Sequence, residues 1–65
     1  MTQVATVWAV ETFANGHWSV VEGGLVRSVA EAEARKLASK GERVSIAEYS
    51  PDEGSSALGR EEIRT

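Results

Sequence analysis

The sequence predicts a small α+β domain in which one helix packs on one face of a three-stranded antiparallel sheet. Three observations predict it. Two runs rich in Val, Thr and Trp, residues 4–12 and 17–21, are separated by Asn15-Gly16, which is typical of a β-hairpin. An apolar stripe at helical spacing follows, and the run 43–49 then has the composition of a third strand. Residues 1–49 therefore form a ββαβ domain.

The length of the hairpin loop decides which face of the sheet each side chain occupies. A two-residue turn at Asn15-Gly16 pairs Phe13 with Trp18 and puts Trp8 on the opposite face. A three-residue loop that also includes Ala14 gathers Trp8 and Trp18 in one core under the helix. We favour the three-residue loop because a slip of one residue separates the two tryptophans.

The helix is predicted to begin at Ser28 and to end before Gly41. The segment Ser28 to Glu31 has the form of a capping box, in which the Ser hydroxyl accepts a hydrogen bond from the third helical amide. Gly41 suits the residue that follows a helix C-terminus. One apolar stripe is formed by Ala30, Ala34, Leu37 and Ala38.

The order of the strands follows from their composition. The first strand is apolar on both faces and belongs in the centre, which gives the order 2-1-3. Gly23-Gly24 is expected to end the hairpin, and Ser50-Pro51 to end the third strand. Residues 50–65 are rich in Ser, Gly, Asp and Glu, and we expect them to form a mobile acidic and polar C-terminal tail.

The composition argues against catalysis and against a metal or cofactor site. The chain has no cysteine, which excludes disulfides and thiolate ligands, and His17 is its single histidine. His17 follows a turn, has no cysteine nucleophile to serve and is expected to be an exposed strand-end residue. We therefore expect neither an enzyme nor a bound cofactor.

Charge and hydropathy favour a cytoplasmic protein. The N-terminus has no basic region followed by an apolar run, and no stretch approaches the roughly 20 apolar residues that cross a bilayer. The net charge of −3 argues against general affinity for nucleic acids. A chain of 65 residues also buries a small core, so self-association, as in a homodimer, is one expected route to stability.

The predicted binding surface is the open face, the side of the sheet away from the helix. A lone helix covers one face only, so apolar residues on the other face need a partner or a second copy. The predicted protein-binding residues are Val7, Phe13, Val21 and Tyr49. The predicted function is thus a non-enzymatic interaction or regulatory module that binds protein, or itself, through the open face or a strand edge.

The alternative function is a small nucleic-acid-binding regulator. It would use a basic cluster around the helix, although glutamates interleave with that cluster. The residues of this alternative site are Arg35, Lys36, Lys40 and Arg43.

The pattern of Trp18, Ser28 to Ala32, Leu37 and the run from Gly41 to Ile46 resembles small uncharacterised proteins of actinobacteria and their phages. These often have a Trp-containing strand, an S-x-x-E-A helix and a G-x-x-V-x-I strand. The resemblance covers about residues 4–49 and implies a ββαβ fold and a phage-encoded accessory role. The hairpin followed by S-x-x-E-A is also similar to antitoxin domains of the HicB type, although this chain lacks their third strand before the helix. Neither resemblance supplies functional residues.

Overall fold

A computed structural model describes residues 6–50 and 57–64. They form an α+β fold with one helix and one antiparallel sheet of four strands in the order β2-β1-β3-β4. The elements are β1 (Val7–Ala14), β2 (His17–Leu25), α1 (Arg27–Ser39), β3 (Val44–Tyr49) and β4 (Ala57–Ile63).

The predicted antiparallel pairing, the order 2-1-3 and the single helix on one face are confirmed, but the predicted number of strands is wrong. Residues 57–63, which we assigned to the tail, form β4 and pair with β3. The rest of the predicted tail between β3 and β4, residues 51–56, lies outside the described residues.

The hairpin between β1 and β2 closes with a two-residue turn, so the predicted three-residue loop is wrong. Ala14 pairs with His17, and the turn residues Asn15 and Gly16 have φ values of 56° and 84°. Positive φ at both central residues is the type I′ geometry, which matches the right-handed twist of the strands and which Asn and Gly adopt with little strain. As a result Trp18 lies on the open face, away from Trp8.

β2 is longer and less regular than the sequence predicts. Glu11 pairs with Val20 but Val10 pairs with Glu22, so Val21 is an extra residue in β2. A second irregularity follows at Gly23-Gly24, where Gly24 has a φ of 70°. The glycines therefore form a bulge inside the strand rather than the end of the hairpin, since a residue at positive φ lets the strand bend and continue.

The N-cap of helix α1 lies two residues before the predicted one, and the helix has no capping box. Its N-cap is Val26, which makes no side-chain capping hydrogen bond, so the prediction of Ser28 as the N-cap is wrong. Glu31 instead pairs with Arg27, whose Nε lies 3.1 Å from a Glu31 carboxylate oxygen. Arg27 competes for the carboxylate that the capping box needs.

The predicted end of the helix at Gly41 is confirmed. Gly41 has a φ of 91°, and its amide donates to the carbonyl of Ala38 at 3.0 Å. The amide of Glu42 donates to the carbonyl of Leu37 at 3.3 Å. The two bonds together form a Schellman motif, which satisfies the last carbonyls of the helix.

The core lies between α1 and the neighbouring strands β1 and β3. Its fully buried members are Val10, Ala30, Ala34, Val44 and Ile46. Partly buried residues around them are Trp8, Leu25, Leu37, Ala38 and Ile63. Strands lie about 5 Å apart and a helix is about 10 Å wide, so one helix covers roughly two strands of the four.

Candidate protein-interaction surfaces

The structure separates the four predicted protein-binding residues. Val7 and Tyr49 are paired neighbours on the open face. Phe13 lies on the same face at the other end of β1, next to its partner Trp18. Val21 occupies the bulge and lines a groove on the helix side together with Leu37. The bulge, which the sequence analysis did not anticipate, carries Val21 away from the other three.

The open face is covered by the chain's own side chains. Ala9 and Ala47 are buried there, and Glu11 at its centre is only 2% exposed. The Nε of Arg60 lies 2.6 Å from one Glu11 carboxylate oxygen, and the Tyr49 hydroxyl donates to the other. We expected an uncovered apolar surface here, but the side chains of Arg60 and Tyr49 cover the centre of the open face.

Small side chains on β3 make this arrangement possible. Arg60 on β4 is paired with Ala47, and Glu11 on β1 is paired with Ser45. Arg60 must therefore cross β3 to reach Glu11, and the small side chains of Ala47 and Ser45 leave room for it. This contact was not predicted, because the segment that carries Arg60 has little strand character in its sequence.

The electrostatics of Glu11 fit a structural counter-ion. Burial raises the pKa of Glu11, but hydrogen bonds from Arg60 and Tyr49 outweigh this effect and hold the pKa below its ordinary value. The same bond to Glu11 raises the pKa of Tyr49. A carboxylate whose pKa is lowered in this way is a weak general base near neutral pH, because it binds a proton poorly.

Two aromatic rings and an arginine extend the cover of the open face. The rings of Phe13 and Trp18 meet edge to face, with centroids 5.2 Å apart. The guanidinium of Arg43 lies 4.6 Å from the Phe13 centroid, and its Nε lies 2.9 Å from a carboxylate oxygen of Glu62. Each of these groups already has a partner within the chain.

The residues of the nucleic-acid alternative do not converge on one surface. Arg43 lies on the open face, whereas Lys36 is on α1 and pairs with Glu33 at 3.5 Å. Arg35 is exposed on α1, and Lys40 is exposed at its C-terminal end. The structure thus places Arg43 apart from the helical cations with which the sequence analysis grouped it.

Among the described residues, four of the five exposed large apolar side chains lie on β2 and at the start of α1, and the fifth is Leu58 on β4. On β2, Val20 is 53% exposed on the open face and Val21 is 55% exposed on the helix side. Val26 and Val29 are also exposed at the beginning of the helix. The outer side of β2 therefore presents valines on both faces of the sheet.

A groove of about 280 Å³ lies between β2 and the C-terminal half of α1. Val10, Val21 and Leu37 supply its apolar wall, and Thr12 contributes a hydroxyl. Its charged lining residues are Glu22, Glu33, Lys36, Lys40 and Glu42. The groove lies where α1, seated over β1 and β3, leaves the β2 side of the sheet uncovered. We call it the α1–β2 groove.

The two edges of the sheet differ in charge. β2 and β4 are the edge strands of the sheet formed by residues 6–50 and 57–64. Residues 18–21 of β2 carry no charge, whereas β4 has the consecutive residues Arg60, Glu61 and Glu62. Charged side chains on an edge strand discourage pairing with another strand. By this criterion β4 is protected and the first half of β2 is not.

Other kinds of site find no support in the described part of the chain. Within it, no group of three His, Asp or Glu side chains is placed to hold a metal ion, and its helix is too short and polar to span a membrane.

The fold and its surfaces together define a small α+β domain with one edge strand, β2, whose first half is uncharged. The chain matches no family model, and no curated protein or solved structure shows significant similarity to it.

Proposed function

We propose that this chain is a non-enzymatic protein-interaction module that binds its partner along the outer edge of β2. The observation that carries the proposal is the uncharged run at residues 18–21 on an edge strand, with Val20 and Val21 both more than half exposed. An edge strand presents a row of backbone donors and acceptors that a second strand can pair with.

The covered open face supports the choice of the strand edge. A partner that bound the open face would meet Arg60 and Tyr49, which are already bonded to Glu11. It would find little apolar surface to bury at the centre, where Ala9 and Ala47 are already buried. Along β2, by contrast, a partner would remove exposed valine surface from water, which is favourable by about 25 cal/mol per Å².

The α1–β2 groove gives this edge a means of selecting its partner. Successive side chains of a strand point to opposite faces, so a strand added beside β2 would send alternate side chains toward the groove and toward Val20. In this mode of recognition backbone hydrogen bonds supply affinity and the pockets for alternate side chains supply specificity. Val21 and Leu37 would contact a side chain of the partner that points to the helix side of the sheet.

The test compares a charge placed on each edge. Val20→Lys puts a cation on β2, and Leu58→Lys puts the same cation on β4 at a residue of nearly equal exposure, 53% against 54%. We expect the wild-type chain and Leu58→Lys to retain the same proteins from a cell lysate and Val20→Lys to lose them. Because both sites are exposed, both variants should keep the wild-type circular dichroism spectrum.

Equal retention by all three chains would contradict the proposal, because the partner would then bind elsewhere. Loss of binding by Leu58→Lys alone would assign the interaction to β4. A proteomic identification of the retained band shows whether the same protein is lost in each case.

A further inference from the structure

We infer that the strand received by β2 is β2 of a second copy of this chain, paired antiparallel about a two-fold axis at Ser19. This inference rests on the proposed function and names its partner. The resulting dimer would have one continuous sheet of eight strands, with both helices on the same face.

The geometry of β2 is compatible with itself in this register. A two-fold axis at Ser19 places Trp18 opposite Val20 of the second copy, and Val20 opposite its Trp18. Trp18 and Val20 lie on the same face of the sheet, because they pair with Phe13 and Glu11. Residues opposite each other in an antiparallel pair must share a face, and these two residues do.

The register also avoids the irregular half of β2. Residues 17–20 pair with β1 without interruption, and the bulge begins after Val20. An axis at Ser19 therefore uses the regular part of the strand, and the bulges at Val21 and Gly24 stay at the ends of the contact. The tryptophan of each copy would cover the exposed valine of the other.

Charge favours a second copy at this edge. Residues 17–21 contain no Asp, Glu, Lys or Arg, so no like charges meet across the axis. In self-pairing of β4 about an axis at Glu61, the two copies of Glu61 would face each other, and like charges directly opposite each other are destabilising. We therefore expect self-pairing at β2 and not at β4. The first half of β2 is also uncharged and carries the exposed Val20 and Val21.

The small core of the domain is a reason to expect stabilisation by dimerisation. Two of the five fully buried core residues, Ala30 and Ala34, are alanines. A chain of 65 residues buries about 60% of the surface of its unfolded form, so its own core stabilises it modestly. Association that occurs only in the folded state adds to that stability in proportion to the logarithm of protein concentration.

Cysteine cross-linking provides the test, because the chain has no cysteine of its own. In the proposed dimer the two Ser19 residues face each other, and opposite residues of an antiparallel pair have Cα atoms roughly 4.5–5.5 Å apart. The Cα atoms of two residues joined by a disulfide lie about 4.4–6.8 Å apart, so cysteines at this position could form one. We expect Ser19→Cys to form a covalent dimer under mild oxidation, and Leu58→Cys on β4 to stay monomeric under the same conditions.

Light scattering on the wild-type chain provides the second measurement. We expect a mass that approaches twice 7.0 kDa as concentration rises, and a shift of Val20→Lys, but not Leu58→Lys, toward the monomer. A wild-type chain that stays monomeric up to millimolar concentration would overturn the inference. So would a dimer that forms normally but fails to cross-link through Ser19→Cys.

The outcomes distinguish this inference from the proposed function. If the chain is monomeric but Val20→Lys still loses a different protein from the lysate, the β2 edge is an interaction site and only the second copy is wrong. If Val20→Lys changes neither self-association nor capture, both proposals fail.

Discussion

The two edge strands are held to the sheet in different ways. β2 follows β1 directly, and a turn of two residues at Asn15-Gly16 fixes its register. Within residues 6–50 and 57–64, β4 pairs only with β3, and its side chains make ion pairs with residues that are distant in the chain. Those ion pairs are Arg60–Glu11, Glu61–Arg27 and Glu62–Arg43. A tight local turn thus fixes one edge strand, whereas the other depends on pairing with β3 and on ion pairs between residues that are distant in the chain.

The largest effect is expected from Arg60→Ala, which removes the cation over Glu11. The variant leaves a carboxylate that is 2% exposed without its ion-pair partner. Breaking a buried pair costs about 3–5 kcal/mol, but Arg60 is 38% exposed and water will partly replace it, so we expect a loss of about 1–3 kcal/mol. Urea denaturation measures the loss.

Arg64→Ala is the control for this prediction. Arg64 lies 3.8 Å from Glu62 and is 81% exposed, so its removal should leave the urea midpoint unchanged. If the two variants have equal midpoints, the Glu11 contact does not stabilise β4.

The next largest loss of stability is expected from a change in the turn that joins β2 to β1. Gly16→Ala places a side chain at a φ of 84°, where non-glycine residues are strained, and we expect a loss of about 1–2 kcal/mol. Apart from Gly16 and the two residues next to it, no described atom lies within 4 Å of the added Cβ, so strain in the backbone, and not a clash, causes the loss. Asn15→Gly keeps both residues compatible with positive φ and should stay near wild type.

A smaller loss of stability is expected at acidic pH. The pKa of Glu11 in the folded state lies below the unfolded value, so its contribution to the free energy of unfolding is complete above about pH 4.5. That contribution is lost as the pH falls through the lowered pKa. We expect Glu11→Gln to flatten the dependence of the urea midpoint on pH in this acid range. An identical slope in wild type and variant would show that other carboxylates account for it.

The smallest effect is expected from Arg27→Gln. The Arg27 guanidinium lies 4.7 Å from the Trp8 ring centroid and pairs with Glu31 and Glu61, but all of these charges are exposed to solvent. Exposed ion pairs contribute little to stability. The urea midpoint should therefore change less than in Arg60→Ala or Gly16→Ala, and a loss as large as that of Arg60→Ala would reverse the ranking.

The contrast between the edges also explains which parts of the fold could be predicted. The sequence predicted β1, β2, β3 and the end of the helix at Gly41, because Asn-Gly turns, alternating apolar residues and a C-terminal glycine are local signals. It did not predict β4, since Leu58-Gly59-Arg60-Glu61-Glu62 has little strand character by itself. Its strand conformation depends on pairing with β3 and on the contact of Arg60 with Glu11.

The candidate site was predictable in part for the same reason. The sequence identified a strand edge as one of two possible binding surfaces, and the order 2-1-3 already placed β2 at an edge. It could not show that Arg60 and Tyr49 cover the open face, because Glu11 lies 49 positions from Arg60 and 38 from Tyr49. The face occupied by Val21 depends on a β-bulge that no local sequence pattern indicated.

The separation of Arg60 from Glu11 along the chain has a consequence for the order of folding. A contact that closes a loop of 49 residues loses more chain entropy than the hairpin contact between Phe13 and Trp18, which closes a short one. We therefore expect the hairpin to be formed in the folding transition state and β4 to dock afterwards. In stopped-flow experiments Arg60→Ala should then accelerate unfolding and leave the refolding rate nearly unchanged, whereas Gly16→Ala should slow refolding.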